Sequence, residues 1–289
     1  MALPGLTIIG ESINDSVPST KKLFEAGDVD GILELARTQD QGGAEYIDVN
    51  VGARSPEFMA ELVGKIQSVT AKPLSIDTPD RAIAQAALEA YDFDRAGGKK
   101  PVLNSVSALR LGMFDLYKIR SFMPILLVSE NVVGGRSQPC RTAEETYAAA
   151  KSLIKIFRER CPEATNAECI IDPGIAPISS DSENNLHRLI AALDLMRNDP
   201  DFAGAHRSVG LSNFTVMLPA KRADGSPVKG PLENAFLTKA MPLGLDMIIG
   251  SVKRKYELLD STHPAMVCLE DCLKLKDFDV LMRIRDFYA

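Results

Sequence analysis

Short apolar runs alternate with helical patterns along the whole chain. Residues 6–10, 46–51, 73–77, 102–105, 123–128, 169–172, 208–211 and 246–249 read as strands, each a brief apolar stretch bounded by polar, Gly or Pro positions. Between them, residues 30–42, 56–70, 80–91, 142–160, 182–197 and 231–243 carry the spacing of helices. Eight strands each followed by a helix imply a parallel sheet, and eight such units close into a (β/α)8 TIM barrel. A doubly wound open sheet is the alternative. The one long polar loop is residues 217–230, with Lys221, Arg222, Asp224, Gly225 and Pro227. No linker interrupts the pattern, so residues 1–289 are expected to form one domain, with residues 265–289 as an added helical segment.

Composition narrows the picture. The chain has 289 residues, 45% of them hydrophobic, enough for a large core and in the range of a single barrel. A net charge of -6 argues against broad nucleic-acid binding, which needs a basic footprint. No run reaches the ~18 apolar residues of a membrane span. The first residues, MALPGLTIIGESIN, lack a basic region and a long apolar stretch, so no signal peptide is expected. Cys140, Cys161, Cys169, Cys268 and Cys272 form an odd, scattered set that suits the reducing cytoplasm better than a disulfide framework.

Barrel strands present their chemistry at their C-terminal ends. Here those ends are polar. Strand one runs into Gly10, Glu11, Ser12, Ile13 and Asn14; strand two carries Asp48 and Asn50. The third ends in Asp77 and Thr78, the fourth in Asn104 and Ser105, the fifth in Ser129, Glu130 and Asn131. Asp172 closes the sixth, and Gly210, Leu211, Ser212 and Asn213 the seventh. Helix capping accounts well for Thr78, Ser105 and Ser129. It accounts less well for Asp48, Asn50, Asp77, Asn104, Asp172 and Asn213, which fall within or at the end of apolar runs, where unpartnered polar groups are costly. Their convergence suggests a ligand rich in N–H and C=O groups. A pterin meets that demand: its 2-amino-4-oxo-pyrimidine edge donates to carboxylates, and its remaining nitrogens and oxygen suit Asn. No Gly-rich phosphate loop follows a strand, and Gly134-Gly135 lacks the Walker pattern.

The motifs, taken in order, resemble the pterin-binding methyltransferase family. They are IIGESIN (residues 8–14), GGAEYIDVNVG (42–52), LSIDT (74–78), LNSVSA (103–108), IIDPGI (170–175), GLSN (210–213) and PLENAFLTKAMPLGLDMII (231–249). The resemblance implies a barrel like that of dihydropteroate synthase. It further implies exchange of a methyl group, in either direction, between N5 of tetrahydrofolate and a corrinoid. Asp77, Asn104 and Asp172 would then hold the pterin ring, and Asn213 would bond N5. Glu11, Asn14, Asp48 and Asn50 would line or orient that network, with Gly210 and Ser212 packed against the ring. Asn213 and Asp77 are the catalytic candidates: the carboxamide offers donor and acceptor, and Asp77 or Asp48 would relay a proton through water. Relatives commonly carry an Arg just before the Pro-Leu of the seventh helix. Gly230 stands there in this chain, so Arg222 or Lys229 of the preceding loop is expected to supply the basic contact. The resemblance also implies a homodimer.

Three rival readings remain. A dihydropteroate synthase would show a C-terminal Arg-x-His segment, whereas His263 stands in Thr-His-Pro. A zinc methyltransferase would need clustered Cys/His ligands, and Cys268 and Cys272 have no such partner nearby in the sequence, so no metal is expected on this chain. The third is a non-catalytic docking module for a corrinoid protein. The chain has no Asp-x-His-x-x-Gly motif, and His187 and His206 read as helix-surface and strand-flank residues, so the corrinoid is expected on a separate partner protein.

Overall fold

A computed structural model describes residues 3–289. β1 (Thr7–Asn14) leads through α1 (Pro18–Ala26) and α2 (Val29–Gln41) to β2 (Tyr46–Asn50). Then follow α3 (Pro56–Gln67), β3 (Leu74–Asp77), α4 (Arg81–Ala90), β4 (Val102–Val106), a 3-10 helix (Leu111–Lys118) and β5 (Met123–Leu127). A hairpin of β6 (Glu130–Val133) and β7 (Arg136–Pro139) precedes α5 (Ala143–Arg160), β8 (Ile170–Asp172) and α6 (Asn185–Arg197). β9 (His206–Gly210) passes directly into α7 (Leu211–Thr215), and α8 (Lys229–Ala240) leads to β10 (Met247–Gly250), α9 (Pro264–Cys272) and α10 (Phe278–Tyr288). The eight long-range strands are all parallel and close in the order β1-β10-β9-β8-β5-β4-β3-β2. This is the TIM barrel that the alternation of apolar runs and helices predicts.

Local chemistry fixes the helix starts. Ser55 accepts from Phe58 N ahead of Pro56, Asp80 accepts from Ala82 and Ile83 N, and Thr142 with Glu145 forms a reciprocal capping box. α1, the 3-10 helix and α7 lie outside the predicted helices, and the segment after β5 is a hairpin where the sequence pattern shows only a polar strand end. Gly134 and Gly135, with φ of 59° and 78°, make its turn, the left-handed pair that a two-residue hairpin requires.

Side-chain alternation along the strands divides the barrel into a lower apolar plug and an upper polar rim. Ile9, Val102, Ile125, Ile170 and Met247 form a buried cluster of their own, separate from the larger core between strands and helices. Two residues further along each strand, on the same face, stand Glu11, Asn104, Leu127, Asp172 and Ile249, and the same alternation brings in Asp48, Asp77 and Ser208. The plug supports the barrel; the layer above it is left for a ligand. After β10 the chain crosses back to α9, which packs on α8, and α10 packs on α9 and on the Ile178–Ser180 turn. Among the described residues no helix is long and apolar enough to cross a membrane.

Candidate functional site at the C-terminal mouth

A cavity of about 400 Å³ opens at the C-terminal mouth of the barrel, within the usual size of small-molecule sites. Its walls include Glu11, Asn14, Asp48, Asp77, Asn104, Gly210, Ser212 and Asn213, with Val17, Pro18, Val216 and Ile249 as apolar surface. Eight of the predicted ligand residues thus share one cavity. Asn50 and Asp172 are not among its wall residues; Asn50 lines an adjoining cleft that Asp77 shares. Asn50 donates through Nδ2 to Asp77 Oδ2 at 2.9 Å, and its own carbonyl accepts from Gly52 N at 2.9 Å. Asp172 is fully buried at the end of β8, accepting from Gly174 N at 2.7 Å and from Ser208 Oγ at 3.3 Å.

The carboxyl groups are held in a setting that resists ionisation. Burial pushes Asp48 well above the usual carboxylate range, and the charge of Asp77 pushes it further; Ser75 Oγ, donating to Asp48 Oδ1 at 2.6 Å, opposes the rise. Asp77 is raised by burial as well, against the pull of Asn50 and of the Arg110 guanidinium. Asp172 is pushed up to about 6 by burial, partly offset by its bonds from Gly174 and Ser208 and by buried Arg188. Glu11 is raised by burial, offset by Ser212 and Arg254. Adjacent Asp48 and Asp77 therefore favour retaining a proton, and a ligand that donates N–H groups into them relieves the cost of their charge. The same acidity disfavours a phosphate ligand.

Asn213 sits on α7, the one-turn helix that springs from β9. Its Nδ2 lies so close to Gly210 that a Cβ there would come within 2.9 Å of it. Ser212 Oγ donates to Glu11, and Thr215 Oγ1 donates to buried Glu233 at 2.5 Å, so hydroxyls three residues apart tie α7 to β1 and α8. At the rim, Asn14 accepts from Ser16 N at 2.9 Å and shapes the turn that carries Val17 and Pro18 to the cavity. Arg54 pairs with Asp15 at 2.7 Å and stacks over Phe24 at 4.3 Å, clamping the loops after β1 and β2 together. Thr78 accepts from Asp80 N and Ser105 accepts from Arg110, so both serve local structure.

The two basic candidates part company. Arg222 stacks over the Phe287 ring at 3.7 Å, which holds it against α10 and not in the cavity lining. Lys229 Nζ donates to Val216 O at 3.1 Å, beside the mouth. The cation whose field reaches a cavity carboxylate from the end of β10 is Arg254, a residue sequence reasoning passes over, as it does Glu233, Arg110 and Arg188. Cys268 and Cys272 are free thiols buried in α9, and the other three cysteines are buried too.

This barrel and its mouth match a known family. The model of pterin binding enzymes matches residues 13–250, and the chain belongs to that family. Among curated proteins, the chain is 27% identical over 253 residues to the methylcorrinoid:tetrahydrofolate methyltransferase of Eubacterium limosum, covering 84% of each. It is 25% identical over 259 residues to the methionine synthase of Mycobacterium leprae, spanning 85% of this chain but 20% of that protein. Solved structures share the fold: dihydropteroate synthase of Vibrio fischeri ES114 (15% identical, TM-score 0.56, 99% of this chain and 94% of that one). The enzyme of Xanthomonas albilineans in complex with 7,8-dihydropteroate is another (14% identical, TM-score 0.54, 100% and 95%).

Proposed function

We propose that this barrel, a single pterin-binding domain with added C-terminal helices, moves a methyl group between the corrinoid of a separate corrinoid protein and N5 of tetrahydrofolate. The observation that carries this reading is the cavity wall itself, where Asp48, Asp77, Asn104 and Asn213 converge from four strand ends. The similarity to a methylcorrinoid:tetrahydrofolate methyltransferase over most of both chains supports the chemistry. The cytoplasm is the expected compartment, and the family resemblance extends to a homodimer.

The residues fit a pterin. Asp77 and Asp172, reluctant to ionise in the free protein, gain N–H donors from the pyrimidine edge, and Asn104 faces the remaining acceptors and donors. In the direction toward folate, the N5 lone pair forms the new N–C bond. The electron pair of the cobalt–carbon bond stays with cobalt, and N5 releases its proton. The reverse requires that proton back, since an amine leaves well only when protonated or strongly hydrogen-bonded. Asp48 and Asp77, both pushed above the usual carboxylate range by burial, are suited to hold it, reached from N5 through water. Asn213 is too weak an acid to supply it. Its amide stabilises the changing charge at N5, accepting from N–H in one state and donating to the lone pair in the other.

Calorimetry tests the reading. The protein is expected to bind tetrahydrofolate at about one site per chain without added metal. Tight binding of a pterin pyrophosphate with none of folate would place the chain with the synthases instead.

A further inference from the structure

Two acidic side chains hold α7 through hydroxyls three residues apart, and the field of one cation reaches both. Glu11 on β1 accepts from Ser212, and Glu233 on α8 accepts from Thr215. Glu233 is almost wholly buried, and its second oxygen, Oε2, has no hydrogen-bond partner meeting full geometry. Arg254 Nε stands 3.3 Å from that oxygen. The field of Arg254 also reaches Glu11, while the charge of Glu11 raises the cost of ionising Glu233. Three other charged or titratable groups bear on the pair: Lys229 near Glu233, Asp48 near Glu11, and the buried Tyr256 hydroxyl near both.

Resting on the methyl-transfer reading, we infer that Arg254 is a positioning residue for Asn213. Its charge offsets part of the burial cost of ionising Glu11 and Glu233 and so favours their ionised forms, which are acceptors only. Each can then take a hydroxyl proton from α7. Without that charge, two buried carboxylates in mutual repulsion favour uptake of a proton by one of them. A protonated carboxyl brings its own donor, and the hydroxyl of Ser212 or Thr215 must turn or detach. α7 is a single turn with Gly210 at its start, so a loosened anchor moves the Asn213 amide directly. Arg254 does not line the cavity, which separates this role from substrate contact.

The test compares wild type, Arg254→Gln and Arg254→Lys, all as full chains. Arg254 is 38% exposed in its side chain, so substitution leaves no large void. Hydrogen exchange of the segment spanning residues 211–217, without ligand, is expected to quicken in Arg254→Gln and to stay near wild type in Arg254→Lys. With methylcorrinoid protein and tetrahydrofolate, Arg254→Gln is expected to lose about 10-fold or more in transfer rate, as a small misplacement of a catalytic group does. Its KM for folate should stay within about 3-fold, and Arg254→Lys should recover most of the rate. Unchanged exchange in Arg254→Gln overturns the inference whether or not the wild type transfers methyl groups. So does a variant whose folate binding collapses while α7 keeps its protection, because Arg254 would then be a ligand contact. A wild type without transfer activity refutes the functional reading alone.

Discussion

Replacing Asp172 by Asn should make the fold more stable and folate binding weaker. Asp172 is buried at the end of β8, and its carboxyl titrates at about 6 against an ordinary 3.8. Ionising it therefore costs more in the folded chain than in the unfolded one, by about 3 kcal/mol at most. The sign follows from proton counts. Between about pH 4 and pH 6 the folded chain keeps a proton that the unfolded chain has released. The group's contribution to stability is whole below that window, is lost as pH rises through it, and stays lost at pH 7.5. The carboxamide of the Asp172→Asn variant would not titrate. Its carbonyl can still accept from Gly174 N, and its amide can donate to Ser208 Oγ, whose hydroxyl is free to rotate. Urea denaturation at pH 4.5 and pH 7.5 should show the variant more stable by about 1–3 kcal/mol at the higher pH, with the gap reduced to about a third of that at the lower. Calorimetry at pH 7.5 should show folate binding weakened about 10-fold or more, since the carboxylate's acceptor is replaced by a donor. A stability gap of the same size at both pH values would refute the reasoning, as would a variant less stable at pH 7.5 that binds folate normally.

Asp77→Ala should weaken folate binding by about 1–3 kcal/mol, because it removes an acceptor from the wall and strands the Asn50 amide; normal affinity in a folded variant would displace the ring from this wall. Gly210→Ala should lower the transfer rate about 10-fold or more with less change in folate affinity, because the new methyl group would lie 2.9 Å from Asn213 Nδ2 and must move it; single-turnover rates beside calorimetry would check both.

The barrel was legible because most of its strands carry a short apolar run before a polar residue, as in LSID and IID, although β9 opens on His206, Arg207 and Ser208. Burial inside a parallel sheet demands that pattern, and the abrupt polar ends, Asp77 of LSID and Asp172 of IID, mark where the lumen opens to a ligand. Asn213 was legible by order in GLSN, yet its element was not. Leu211 continues the apolar run of β9, and only the backbone shows that the chain turns helical there. α1 is hard to see because PSTKKLFEA carries few apolar positions, and its helix leans on Phe24 and Thr20 packed from one side. The Gly134-Gly135 hairpin does have a signal, two glycines between short polar and apolar runs, which the search for a phosphate pattern alone leaves unused. Arg254 and Glu233 have none. Each looks like an ordinary charge in its own segment, and their pairing depends on the crossing of the chain after β10 over the start of α8, a contact no local pattern encodes.

The central claim is that the amide of Asn213 acts on N5 during transfer. Single-turnover transfer from methylcorrinoid protein to tetrahydrofolate should proceed with wild type. With Asn213→Ala it should slow about 100-fold or more, while folate affinity falls less and the melting temperature hardly changes. Transfer at close to the wild-type rate by Asn213→Ala, accompanied by a lowered melting temperature, would contradict the account and leave Asn213 a structural residue of α7.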